Sequence, residues 1–157
     1  MGATRYGVAT PEEAAGMSGL EMIEALAAGK LPAPPIAQPM RMAVTEVEKG
    51  RVVFTGTPDE TLLNPLGGVH GGFALTLIDS ATGCAVHTML DAGVGYATVE
   101  TKANFTRPIR ADCGTVFCEG RVVSMGRQIA TAEAYLRDGE GRVLAHGTST
   151  LIILSGR

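Results

Sequence analysis

Residues 64–90 read NPLGGVHGGFALTLIDSATGCAVHTML. From His70 to Leu90 the residues are mostly apolar or small, and proline is absent. That run fits a helix of about five to six turns at 3.6 residues per turn. Its apolar residues, Phe73, Ala74, Leu77, Ile78, Ala81, Cys84, Ala85 and Met89, spread around most of the circumference. A helix apolar nearly all round has to be buried, so the rest of the chain must wrap it.

The flanking sequence supplies the wrapping. Upstream, Met40–Glu48 and Arg51–Thr57 read as strands around a Lys49-Gly50 turn. A loop, PDETLLNPLGGV, spans 58–69. Downstream come four strand-like segments, Tyr96–Arg107, Gly114–Val123, Gln128–Arg137 and Arg142–Leu154. Ser124-Met125-Gly126-Arg127 and Asp138-Gly139-Glu140-Gly141 are hairpin signals between them. Short hairpins make an antiparallel sheet. The expected class is α+β, with five to six antiparallel strands curled around one long helix. In Tyr96–Arg107, strict alternation puts Tyr96, Thr98, Glu100, Lys102, Asn104 and Thr106 on one side.

Residues 1–39 read as an N-terminal extension lying on a domain of residues 40–157. Residues 1–17 carry few structural signals. Ser18 and Glu21 fit a capping box for a short helix, Leu20–Ala28, with Gly29 as its stop. Pro32, Pro34, Pro35 and Pro39 make an extended linker.

The 157-residue length suits one domain. A net charge of −3 lacks the domain-scale basic surface that nucleic acid needs. No apolar run reaches the ~18 to 20 residues of a membrane span, and no signal peptide is recognisable. Cys84, Cys113 and Cys118 are odd in number and lack metal-ligand spacing. They read as reduced core thiols, and the expected location is cytoplasmic.

Glycine, at 21 residues, is nearly double its ~7% average. Gly71 and Gly72 open the helix, where alanine would be more stable. They leave N–H donors uncovered at the positive end of the helix dipole. A polarised carbonyl or oxyanion is well served there. Asp79 stands mid-helix, where burial is expected. A buried carboxylate must be hydrogen-bonded, shifted in pKa or turned to a polar cleft. It is either a catalytic acid or base, or a carboxylate tied to hydroxyls such as Ser80 or Thr82. His70 and Asp79 lie nine residues apart, about 13 Å along a helix and half a turn out of phase. They cannot easily act on one carbonyl within one subunit. If both are catalytic, the site is composite across a twofold axis and the protein is a dimer.

The run from Asn64 to Asp79 resembles the signature of hotdog-fold thioesterases of the phenylacetate-pathway (PaaI) type. The asparagine, the histidine six residues later, the His-Gly-Gly and the aspartate nine after the histidine all match. The element order over residues 40–154 is similar to the hotdog fold. The resemblance implies hydrolysis of an acyl-CoA thioester to free acid and CoA, without a metal or redox cofactor. It implies that Asp79 is general base or nucleophile and that the Gly71 N–H polarises the carbonyl. It places His70 beside that carbonyl, Asn64 as holder of the loop or the water, and Thr98 as a contact of the water. For CoA it points to Gly72, Phe105 and the hairpin residues Ser124, Gly126 and Arg127. The implied assembly is a homodimer or a dimer of dimers (a homotetramer). The alternatives are an acyl-CoA binder without turnover and a hotdog enoyl-thioester hydratase.

Other readings fall away on chemistry. GGVHGG lacks the spacing and the βαβ setting of a dinucleotide fingerprint. Ser80 lacks a nucleophile-elbow frame. Cys84 has no neighbouring base to make a thiolate. His87 and His146 read as structural.

Overall fold

The computed structural model describes residues 4–154. The first three and last three residues of the two expected segments lie outside the described residues. Two α-helices and six strands follow in order: α1 Gly19–Ala27, β1 Met42–Glu48, β2 Arg51–Gly56, α2 Gly71–His87, β3 Gly95–Phe105, β4 Val116–Met125, β5 Ile129–Arg137 and β6 Val143–Leu154. Single 3₁₀ turns sit at Pro35–Ala37 and Glu60–Leu62.

The strands form one sheet in the order β1-β2-β4-β5-β6-β3, antiparallel throughout. The sheet curls around α2, as the apolar helix requires. Phe73, Leu77, Ile78, Ala81 and Ala85 of α2 are buried in one cluster with Val52, Phe54, Val116, Leu136 and Ala145 of the sheet. Each large side chain so enclosed contributes about 1.5–3 kcal/mol. Close approach needs glycine at two sheet positions. A methyl on Gly120 would collide with the Ala81 carbonyl of α2, and one on Gly147 with the Lys102 carbonyl of β3.

Hydrogen bonds explain where elements stop. α2 ends at His87, three residues short of the expected Leu90, with Thr88 at its C-cap. The Thr88 hydroxyl donates to the Ala85 carbonyl and accepts from the Gly50 N–H of the β1–β2 turn. In the β5–β6 turn, Asp138 binds the Arg142 guanidinium and the N–H groups of Glu140 and Arg142. The guanidinium first, and then those amides, hold the Asp138 carboxyl below its usual range.

The N-terminal segment does more than lie on the domain. The Ser18–Glu21 capping box forms as expected, and Gly29 adopts φ +67° just after the helix. α1 packs against β1 and α2. Ile23 and Ala37 enter the main core, with 2% and 4% exposure. Upstream, Gly7 N–H donates to Ala33 O and Ala33 N–H to Arg5 O. Arg5 pairs with Glu13 at 2.7 Å. Amide-to-backbone pairing, invisible as sequence periodicity, pins a stretch that reads as unstructured.

Candidate active site

The sheet does not close around α2. Its two edges, β1 and β3, leave one stripe of the helix uncovered. Leu75, Thr76, Asp79 and Ser80 occupy that stripe, as their helical spacing requires. Asp79 is therefore exposed in the protomer and not buried as the apolar helix suggested. Among the described residues no cation pairs with it.

What holds Asp79 is a row of hydroxyls. Thr101 donates to Asp79 Oδ1 at 3.1 Å. Ser149, directly opposite Thr101 on β6, lies 3.0 Å from the Thr101 hydroxyl. Thr82 lies 2.8 Å beyond Ser149 and also reaches the Ile78 carbonyl at 2.9 Å. Thr82 and Ser149 are buried. Thr101 has a single proton and gives it to Asp79, so Ser149 is the donor in its hydrogen bond with Thr101. Aligned hydroxyls polarise one another. The row engages Oδ1 of Asp79, and among the described residues Oδ2 accepts no side-chain hydrogen bond.

Thr101 was not among the expected site residues, because strict alternation puts it opposite Thr98. A β-bulge between Thr98 and Glu100 breaks the alternation. An inserted residue switches the facing of everything after it. Tyr96 and Thr98 before the bulge, and Thr101 and Ala103 after it, are therefore the half-buried residues. The expected row of Tyr96, Thr98, Glu100, Lys102 and Asn104 is split. Thr98 and Thr101 both line a shallow cleft with Leu75, Thr76 and Asp79.

The other expected residues gather at the N-terminus of α2. His70 is the N-cap, and its Nδ1 accepts from the Gly72 N–H at 2.8 Å. The Gly72 amide thus has an acceptor within the chain. Gly71 N–H, first in the helix, has no intrahelical acceptor. The Phe105 ring lies over Gly71, within 3.3 Å of where a Cβ would stand. Asn64 organises the preceding loop: its Oδ1 accepts from Leu66 N–H at 2.9 Å and Gly68 N–H at 3.3 Å.

Two groups of expected residues remain apart within one chain. Gly71 and Asp79 are separated by about 12 Å of helix. Ser124, Gly126 and Arg127 form the exposed β4–β5 tip. That tip adjoins the start of β3, since Ile129 pairs with Ile152 and Ile152 with Ala97. Gly71 sits at the other end of β3, by Phe105.

Other titratable groups lie in packed surroundings. Burial pushes the Cys84 thiol up to about 12 and raises Cys118 further. Burial lowers His87, whose ring tilts against Tyr96 at 5.5 Å. His146 stacks on Tyr135 at 5.7 Å. Among the described residues no three His, Cys, Asp or Glu side chains gather as a metal would need. No helix there is long and apolar enough to cross a membrane.

Comparison with known proteins adds the decisive observation. The family model of the thioesterase superfamily matches residues 66–145, which contain α2, Asp79 and the hydroxyl row as far as Thr101. The chain belongs to the thioesterase superfamily. This thioesterase is a hydrolase acting on thioester bonds. It is 32% identical over 111 residues to a protein of Saccharolobus solfataricus named "Putative esterase", covering 71% of this chain and 77% of that one. It superposes on the PaaI protein of the E. coli phenylacetic acid degradation operon with TM-score 0.70 and 21% identity, over 77% of this chain and 85% of the other. A Streptococcus mutans protein bound to acetyl-CoA gives TM-score 0.66 and 25% identity, over 74% and 90%. The thioesterase therefore has the hotdog fold that the sequence led us to expect.

Proposed function

We propose that this thioesterase hydrolyses acyl-CoA thioesters at sites shared between two subunits, with Asp79 as the reacting carboxylate. The observation that carries the reading is Asp79 itself. It is a carboxylate without a cation, oriented by Thr101, on the one uncovered stripe of an otherwise enclosed helix. The acetyl-CoA held by the S. mutans relative supports CoA as the thiol half of the substrate.

The distance between Gly71 and Asp79 supports two subunits per site. β3 is an edge strand of 11 residues that carries exposed apolar groups, including Val99 at 58% and Phe105 at 56% exposure. Such an edge is a template for pairing. Two β3 edges paired antiparallel about a twofold axis would bring Gly71 of the partner subunit towards Asp79. The same operation would carry the Arg127 tip to the partner's helix N-terminus.

In this arrangement the thioester carbonyl accepts a hydrogen bond from the N–H of the partner's Gly71. On one route Asp79 takes a proton from water as the water attacks the carbonyl carbon, the C–S bond breaks, and CoA leaves as thiolate with the free acid formed. On the other route Asp79 attacks the carbonyl carbon, the C–S bond breaks with loss of CoA thiolate, and water then hydrolyses the resulting mixed anhydride to free acid and the Asp79 carboxylate. Thr98 is placed to steer the water, and Asn64 keeps the loop before Gly71 in shape. Arg127 meets a CoA phosphate.

Thiol release from a panel of acyl-CoA thioesters tests the activity. Binding without release would favour the non-catalytic alternative, and product with the thioester intact would favour a hydratase. Subunit sharing has its own test. Asp79→Asn and Gly71→Val are each expected to be inactive, whereas coexpressed mixed dimers regain one intact site in two. No recovery in purified mixed dimers would place both residues at work in one chain. Arg127→Glu is expected to raise KM several-fold with a smaller change in kcat, from like-charge repulsion of phosphate. An unchanged KM would remove Arg127 from the CoA site.

A further inference from the structure

We propose that the N-terminal segment roofs the acyl subsite, and that this subsite selects an uncharged acyl group of medium length. The proposal rests on the acyl-CoA reading and adds the class of acid released. A cavity of about 410 Å³ fills the gap between the β1 and β3 edges. Asp79 and Cys84 of α2 form its floor, Val44 of β1 and Tyr96 of β3 its sides, and Leu26 and Ile36 of the N-terminal segment its roof. Asp79 lies on the wall of this cavity and also in the shallow cleft beside Thr98 and Thr101. A thioester whose carbonyl stands at Asp79 therefore has beside it a partly enclosed, mainly apolar space into which its acyl chain can run.

Charge and size define the occupant. Asp79 is the sole charged side chain among the described residues that line the cavity. Burial holds the Cys84 thiol and the Tyr96 phenol neutral. A second carboxylate on the acyl group would face Asp79 with no cation among this chain's described lining residues to offset it, so half-thioesters of dicarboxylic acids are expected to be poor substrates. At ~30 Å³ per water-sized group, the cavity holds on the order of a dozen non-hydrogen atoms. Acetyl would leave it largely unfilled, and a long fatty chain would overrun it. A medium-chain aliphatic or an arylalkanoyl group fills it.

The roof is tied to the domain. Backbone hydrogen bonds join Arg5 and Gly7 to Ala33, and Ile23 enters the core. Ala33 also lines the cavity, where its small side chain leaves room.

Two measurements test the proposal separately from catalysis. Affinities of S-alkyl-CoA thioethers, which cannot be hydrolysed, should strengthen about four-fold per methylene and level off near eight to ten carbons. In thiol-release assays kcat/KM should follow the same profile, with ω-carboxyl analogues poor. Parallel aliphatic and phenylalkanoyl series identify which shape fits better. Ala33→Phe should shift both profiles to shorter chains by several carbons. Ile36→Ala, at an exposed position that the fold tolerates, should shift them to longer ones. Thioether affinity independent of length, or profiles unmoved by both variants, would overturn the acyl roof. A length-dependent affinity without thiol release would retain the roof and overturn the catalytic reading instead.

Discussion

Asp79→Asn is expected to lower kcat for thioester cleavage by ~10²-fold or more while KM stays within a few-fold of wild type. The substitution keeps shape and the Thr101 hydrogen bond but removes the basic oxygen. An amide neither takes a proton from water nor attacks a carbonyl. Because Asp79 is exposed in the protomer and bears no ion pair, thermal stability should barely move. Steady-state thiol release and a melting curve on the same preparation check this. Equal activity in variant and wild type would leave a thioesterase with a different reacting group. Thr101→Val is the companion. It keeps volume and removes the hydroxyl that donates to Asp79, while Ser149 keeps Thr82 as a hydrogen-bond partner. The expected result is a kcat loss of roughly ten-fold with KM unchanged. A variant that merely unsettled the fold would move KM and the melting temperature as well.

The second large effect is on stability. Gly120→Ala is expected to destabilise the protein by about 3 kcal/mol, the upper end for overpacking. The added methyl has backbone on its far side: the Ala81 carbonyl and the Thr82 N of α2. No side-chain rotation relieves that contact, so α2 must move off β4. Thr82 and the carbonyl of Asp79 belong to the same turn, so activity should fall with stability. The expected drop in melting temperature is about 6–12 °C for a chain of this size. Gly139→Ala is the control, since nothing lies within 4 Å of its Cβ position and its φ is ordinary. A Gly120→Ala protein that melts with wild type would show that the helix sits further from the sheet.

Local chemistry was legible where it acts over a few residues. The capping box at Ser18, the stop at Gly29, the hairpin turns and the strands around α2 all follow from propensity and alternation. An apolar helix between strands leaves few ways to bury it, which is why the architecture could be read at all. The motif from Asn64 to Asp79 could also be read, because spacing along one loop and one helix is fixed by the chain. His70 shows the limit of that reading. Its place was visible, but its role as N-cap, engaging the Gly72 amide, depends on a side-chain conformation.

Tertiary structure alone decided the rest. A one-residue bulge in β3 exchanged the expected facing and made Thr101 the partner of Asp79. Nothing in the alternation marks such an insertion, since it is set by pairing with β6. The exposure of Asp79 depends on where two sheet edges, far apart in sequence, fail to meet. The cavity beside it arises from a segment more than forty residues upstream, held by backbone hydrogen bonds that no side-chain pattern encodes. The sequence by itself determined the elements and the spacing of the motif from Asn64 to Asp79. Which groups face one another was decided by long-range packing, because contact across a sheet or over a gap is a property of the assembled chain and not of any stretch of it.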